Sequence, residues 1–330
     1  MKQRIISILQ ILFFLSLGLG LIYWRYTAMS DDSRSAMSQA FAQIKWWVLA
    51  PIAVVGFLSH YFRALRWKIL LQTVDIHPST SNTTFAVLIG YLANTVVPRL
   101  GEITKCTVLA RYERIRPERA LGTIIGERAF DTLSLLALIG LILILERSQA
   151  LTLWNLYLGN MLGNWSEWPW TLIFIAIGAL VALFLALKGL LPRFRERKAG
   201  RIVFRLIEGV SAIWRLKNRS AFLLYSIVIW LMYILMVYLG YYALDATSHL
   251  SFRSAMAIVA FGSIGMIVTP GGVGAYPLIV AAVLSLYGIN EGVGMAFGWI
   301  CWGTQTVLIL MLGIISLILL PIFNGKHKSF

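Results

Sequence analysis

Apolar residues dominate four long runs of the chain, 5–23, 170–187, 221–242 and 302–322. About 20 such residues cross roughly 30 Å of hydrocarbon as a helix. A backbone in lipid must satisfy its own hydrogen bonds, and runs this long do so as helices rather than as short barrel strands. Carried to its polar borders, the pattern predicts six full spans, over about 5–24, 46–64, 129–146, 169–188, 221–243 and 293–321.

Two further apolar stretches, 83–111 and 254–287, do not read as single spans. The first is interrupted at Val97-Pro98-Arg99-Leu100-Gly101-Glu102, the second at Thr269-Pro270-Gly271-Gly272-Val273-Gly274. Proline removes a helix donor and glycine is costly inside a helix, so the backbone is predicted to break at Pro98, Gly101 and Pro270. Two arrangements satisfy the pattern: pairs of short tilted spans, or hairpins that dip in and return to the same side. The hairpins are preferred because the breaks fall at matching places. Pro98 and Pro270 lie 172 positions apart, and the span starts at 46 and 221 lie 175 apart. Span, hairpin and span then occur twice in opposite orientation, in halves 46–146 and 221–321 of a single membrane domain, 1–330. Paired broken segments in an inverted repeat point to a transporter's binding site. The fold class expected is therefore all-α: a polytopic integral membrane protein of about six full transmembrane helices plus two broken, re-entrant hairpins.

Composition agrees, with 59% hydrophobic and only 13% charged residues, about half the charged share of a soluble domain. The net charge of +15 sits in a few loops between apolar runs. That distribution marks membrane topology and anionic lipid headgroups rather than nucleic acid. Lys2 and Arg4 place the N-terminus in the cytoplasm of a bacterial inner membrane. Arg63, Arg66 and Lys68, the loop 111–119, and Lys326 and Lys328 mark further inner ends, so both termini are expected inside. The stretch 148–168 has three tryptophans, one acidic residue and no Lys or Arg, which suits an outer loop. Between the halves, 189–219 alternates basic and apolar residues at helical spacing and is expected to form a cytoplasmic amphipathic helix. The apolar run 5–23 is longer than a signal-peptide core and is read as a retained span. Cys106 and Cys301 are far apart and the four histidines are scattered, so neither a disulfide framework nor a metal site is expected.

Few ionisable groups fall within the apolar segments, and each needs a reason. Around the first break stand Asn94, Arg99, Glu102 and Lys105. A helix end beside two cations suits a phosphate, with Glu102 for a cation or proton; the alternative is an interfacial cluster with Glu102 paired locally. Glu127, Arg128 and Asp131 open the fourth predicted element at helical spacing, near a helix N-terminus that favours the carboxylate. They suit either a functional triad or a self-neutralising packing device. In the second break Gly271, Gly272 and Gly274, followed by Tyr276, allow positive φ and amides presented to a headgroup oxygen. The glycines at 288, 292, 294, 298 and 303 are expected to permit close helix packing. No catalytic set, metal motif or dinucleotide fingerprint is visible, and no cofactor is expected.

These motifs in order, Gly90-Tyr91-Leu92-Ala93-Asn94 with Pro98-Arg99-Leu100-Gly101-Glu102, then Glu127-Arg128 with Asp131, then Thr269 to Tyr276, resemble the flippase-like family. This is the family of the transmembrane region of lysylphosphatidylglycerol synthase, the multiple peptide resistance factor. The resemblance covers roughly 45–320 and implies a lipid translocator, since in the fused proteins this region moves an aminoacylated phospholipid outward. Those proteins carry a synthase domain after the membrane part, and the sequence to Phe330 contains none, so aminoacylation is not implied. The leading expectation is a non-enzymatic translocator of a phospholipid or other lipid-linked anion. The alternatives are an integral membrane transferase acting on a lipid, and a membrane partner of a separately encoded lipid-modifying enzyme.

Overall fold

The structure is a computed structural model that describes residues 16, 18, 20, 22–97, 100–148, 216 and 218–325. Pro98, Arg99, most of the predicted first span, the predicted outer loop, the predicted span 169–188, nearly all of the amphipathic segment 189–219, and Lys326 and Lys328 lie outside the described residues. Every regular element among the described residues is helical. Among the described residues four helical segments are long and apolar enough to cross a membrane: Trp46–Gln72, Pro117–Leu145, Arg219–Ala243 and Glu291–Gly325. The helices are α1 (Asp31–Ala42), α2 (Leu49–Gln72), α3 (Thr80–Val96), α4 (Leu100–Glu113), α5 (Pro117–Leu145), α6 (Arg219–Gly240), α7 (Phe252–Val268), α8 (Ala275–Ser285) and α9 (Glu291–Gly325). Residues up to Ile124 and from Leu216 form one packed unit, and the chain from Ile125, most of α5, belongs to a second.

Three boundaries differ from the sequence expectation. The first difference is α1, which the apolar pattern does not predict. Ser30 caps it by accepting from the Ser33 amide at 3.2 Å, and Asp31 and Asp32 occupy the first turn, where carboxylates complement the helix dipole. Next, α2 does not stop near residue 64 but runs on to Gln72, because Ile69, Leu70 and Leu71 continue the apolar face and are buried. Finally, α5 begins at Pro117, a first-turn position that suits proline. The basic loop before it shrinks to 114–116, with Arg114 at φ 55° making the turn.

Each broken stretch is a pair of antiparallel helices. In the first, Glu113 at the end of α4 accepts at Oε1 from the Ser79 amide and hydroxyl and from the Asn82 amide at the start of α3, at 2.8–2.9 Å. Nearer the tip, a Cβ on Gly101 would overlap the carbonyl oxygen of Gly90. In the second, Gly262 and Gly265 of α7 lie against Tyr276 of α8; a Cβ at Gly265 would stand 3.0 Å from the Tyr276 Cα. Small residues of this kind let helices approach without a solvent-driven core. The helices α3 and α7 are each 17 residues long, about 25 Å, short of the roughly 30 Å hydrocarbon.

Their landmarks coincide. Ser79 caps α3 as Ser251 caps α7, and Gly90 and Gly262 both face the returning helix. Val97 and Thr269 end the two helices in extended conformation immediately before Pro98 and Pro270. Each of these pairs is 172 positions apart.

The long helix α9 orders the unit. Its first turns nest on the second hairpin, where Gly294 and Gly298 lie against Ala281 and Pro277 of α8, with would-be Cβ contacts of 2.9 and 2.6 Å. Gly292 seats α1 in the same way, against Ser33 and Met37. Further along, Gly313 takes Leu92 of α3. At its far end Asn324 forms a reciprocal amide pair with Asn82 at the base of the first hairpin, at 2.8 and 3.1 Å. The two hairpins are therefore based at opposite ends of α9. Of the remaining glycines expected to pack helices, Gly288 makes a turn at φ 77°, and a methyl group on Gly303 would meet no atom within 4 Å among the described residues.

At the end of the unit where α9 begins, ion pairs join Arg25 to Glu291 and Lys45 to Asp245. Tyr23, Trp24, Trp46 and Trp47 are exposed there, between 60% and 72%. Exposed Trp and Tyr concentrated at one level mark a membrane–water interface.

Candidate functional site

The tips of the two hairpins carry most of the residues singled out from sequence. At the first tip Asn94, half-buried on α3, accepts from the Gly101 amide at 2.7 Å. A first-turn donor of α4 is thus capped from within the hairpin, as an N-cap side chain does. Glu102 stands half-buried in the first turn of α4, a favourable place for a carboxylate. Lys105 follows one turn later and is only 7% exposed. Its ammonium lies 4.4 Å from the ring centroid of Trp67, and its Cβ fills the space a side chain at Gly90 would need. Trp67, itself fully buried, donates its indole N–H to Thr123 Oγ1 at 2.9 Å.

At the second tip Pro270–Gly272 forms a single tight turn, and Gly271, Gly272 and Gly274 all have φ between 64° and 75°. That is the left-handed region, which glycine enters without penalty. The three differ in surroundings. Gly271 is exposed and its carbonyl accepts from the Trp302 indole at 2.7 Å. Gly272 is buried against Met266, and Gly274 is buried against the backbone of Gly18. Tyr276 is half-buried, with its ring packed over Gly262.

The Glu127, Arg128 and Asp131 group belongs to the second unit. The helix begins ten residues earlier than Glu127, at Pro117, so the group sits in mid-helix rather than in a first turn. The helix-dipole argument for Glu127 therefore fails, because that effect is confined to the terminal turn. Glu127 is 2% exposed, Asp131 is half-buried, and Arg128 stands on the exposed face. At helical spacing the three fall within one arc of the helix, with Asp131 between Glu127 and Arg128.

Sequence reasoning misses a polar track that runs between the two tips. Arg63 and Arg66, read from sequence as marking the inner end of a span over 46–64, are both within α2, where Arg66 is fully buried and Arg63 half-buried. Arg66 donates to Ser226 Oγ at 3.3 Å and lies 5.7 Å from the Phe222 ring. Arg63 donates to the Tyr91 hydroxyl, and its guanidinium carbon is 5.7 and 6.0 Å from the rings of Tyr91 and Tyr233. His60, one turn earlier and 2% exposed, packs on the Tyr91 ring at 4.6 Å and pairs with Gln305 Nε2 at 3.3 Å. Gln305 is one turn beyond Trp302, the residue that holds the second tip. The signal in the sequence is that apolar residues resume after Lys68, which makes the arginines interior to a helix. Ionisable residues inside a membrane span are rare and mark function by default.

Over residues 7–313 the chain matches the family described as the lysylphosphatidylglycerol synthase TM region. It is similar to a UPF0104 membrane protein of Methanothermobacter thermautotrophicus, with 26% identity over 272 residues covering 74% of this chain and 76% of the relative. No solved structure matches it. A helical architecture with four membrane-length segments and paired hairpins, together with a match over nearly its whole length, carries one conclusion: the chain belongs to the family of the lysylphosphatidylglycerol synthase transmembrane region.

Proposed function

We propose that the protein moves a phospholipid, or another lipid-linked anion, between the leaflets of a bacterial inner membrane without altering it chemically. The observation that carries this reading is the placement of the two hairpins. They are based at opposite ends of α9, the first at Asn82 beside Asn324 and the second where α8 ends at Ser285 and the chain enters α9 at Glu291, and the turn of the second packs on α3 of the first. Halves of about 25 Å or less that return to their own side are re-entrant, and opposed re-entrant pairs make an inverted repeat with both termini in the cytoplasm. Broken helices of this kind place a substrate site at the level where they meet, and rocking of one half on the other alternates its access. Glu102 and Lys105 bring charge to the first tip. Arg99 follows Pro98 directly and supplies a phosphate contact. The exposed Gly271 and the half-buried Tyr276 line the second tip, and Glu127, Arg128 and Asp131 serve the coupling side of the cycle.

The test is lipid movement in proteoliposomes of bacterial polar lipid, with labelled anionic and zwitterionic phospholipids. Protein-dependent movement that Arg99→Ala and Glu102→Gln both abolish, with folding intact, is the expected result. Unimpaired movement in Arg99→Ala removes that residue from the site, and new lipid masses in the same vesicles replace the translocator with a transferase.

A further inference from the structure

The polar track between the tips has a chemistry of its own. Arg63 is 14 residues into the 24-residue helix α2, about 21 Å along it. It therefore lies within the apolar span Trp46–Gln72, toward the end away from the exposed Trp46 and Trp47. Its neighbours Arg66 and Lys105 are sealed at 0% and 7% exposure, whereas Arg63 is half-open. The rings of Tyr91 and Tyr233 and the Tyr91 hydroxyl hold the guanidinium in a fixed orientation. A fixed fork of N–H groups is what a tetrahedral oxyanion matches.

The second observation is independent of the first. The amide nitrogen of Gln305 can only donate, so at 3.3 Å His60 Nε2 is the acceptor and the imidazole proton resides on Nδ1. That Nδ1–H is buried and has no hydrogen-bond partner among the described residues. An orphaned buried donor is costly. It lies one turn from Arg63, three positions along the same helix, and residues so spaced share a face.

We propose that His60 and Arg63 form a station within the apolar span of α2 for the phosphodiester oxygens of the moving lipid. Arg63 binds as a charged fork, His60 as a neutral donor, and Gln305, Tyr91 and Tyr233 position them. The station rests on the translocator reading but is tested apart from it. Gln305 stands one turn along α9 from Trp302, whose indole donates to the carbonyl of Gly271, so the station lies one helical turn from the residue that holds the second tip.

The experiment pairs two readouts on the full chain. One is equilibrium binding of labelled phosphatidylglycerol to the purified protein in neutral detergent, with diacylglycerol as the phosphate-free lipid and glycerol phosphate as the soluble headgroup. The other is movement of the same labelled lipids in proteoliposomes. Arg63→Gln is expected to weaken phosphatidylglycerol binding about tenfold or more and to leave diacylglycerol unaffected. Arg63→Lys is expected to recover part of the loss. His60→Phe keeps the ring on Tyr91, removes both nitrogens, and is expected to weaken binding several-fold.

Unchanged phosphatidylglycerol binding in Arg63→Gln overturns the station, as does an equal loss for diacylglycerol. If Arg63→Gln does not fold, His60→Phe decides alone, and normal binding there overturns the proposal. Arg63-dependent binding without any lipid movement by the native chain leaves the station standing and removes the translocator. Movement that Arg63→Gln leaves intact does the reverse. Competition by glycerol phosphate at concentrations matching the lipid assigns the site to a soluble phosphate compound instead.

Discussion

Substituting Gly101 by alanine tests how the first hairpin is closed. The added methyl carbon would overlap the carbonyl oxygen of Gly90 and stand 2.6 and 2.7 Å from Cγ and Nδ2 of Asn94. A carbon–oxygen contact needs roughly 3.3 Å, and the obstructing oxygen is backbone, so no rotamer change relieves it. The helices α3 and α4 must part, and the 2.7 Å bond from the Gly101 amide to Asn94 breaks as they do. Overpacking costs about 1–3 kcal/mol and loss of an N-cap about 1 kcal/mol, which together give a loss of about 2–4 kcal/mol. Gly303→Ala is the matched control. Its methyl group would meet no atom within 4 Å among the described residues, so the intrinsic helix preference for alanine, about 0.5–1 kcal/mol, is gained instead. The assay is reversible unfolding of the purified protein in mixed micelles titrated with a denaturing detergent. A Gly101→Ala midpoint matching the native one, or the same sign of change in both variants, refutes the close-approach argument.

Three further outcomes follow from the packing. Trp67→Phe removes the bond to Thr123 and weakens the ring beneath Lys105; in the same micelle titration it is expected to destabilise by about 1–3 kcal/mol. Asn324→Ala leaves Asn82 without its reciprocal amide, for an expected loss of about 1–2 kcal/mol and faster proteolysis at the 73–79 turn. Lys45→Ala breaks the pair with Asp245, whose side chains are 40% and 75% exposed. Its effect on the unfolding midpoint is expected to stay under about 1 kcal/mol and to vanish at high salt.

The helical class and the two breaks are legible in the sequence because they depend on local chemistry: long apolar runs, and proline beside glycine. The equal length and capping of α3 and α7 are half-legible. The 172-residue offset between Pro98 and Pro270 is visible, but the matching caps Ser79 and Ser251 carry meaning only once the helix starts are known. What the sequence conceals is tertiary. Arg63, Arg66 and Lys68 read as the basic end of a span until α2 is seen to continue past them, and nothing local distinguishes a buried arginine from a solvated one. Glu127 reads as part of a helix start because the apolar run begins near 129, whereas the helix itself begins at Pro117 among polar residues. Asn94 reads as a substrate ligand and is found capping α4. The short helix α1 is announced by Ser30-Asp31-Asp32, a strong start signal, but no apolar run follows to mark it as a helix.

The dependence of both hairpins on α9 has a consequence for biosynthesis. Translation delivers α3 and α4 some two hundred residues before Asn324, which completes their base, and delivers α7 and α8 just before Gly294 and Gly298 seat them. Until α9 is made, Asn82 of the first hairpin keeps its bond to Glu113 but lacks the reciprocal amide of Asn324. The nascent chain thus has a long interval in which a chaperone or insertase must shelter it, and a chain arrested before α9 presents the membrane proteases with two unsupported hairpins. Completion of this one helix serves as the checkpoint between an inserted chain and an assembled protein.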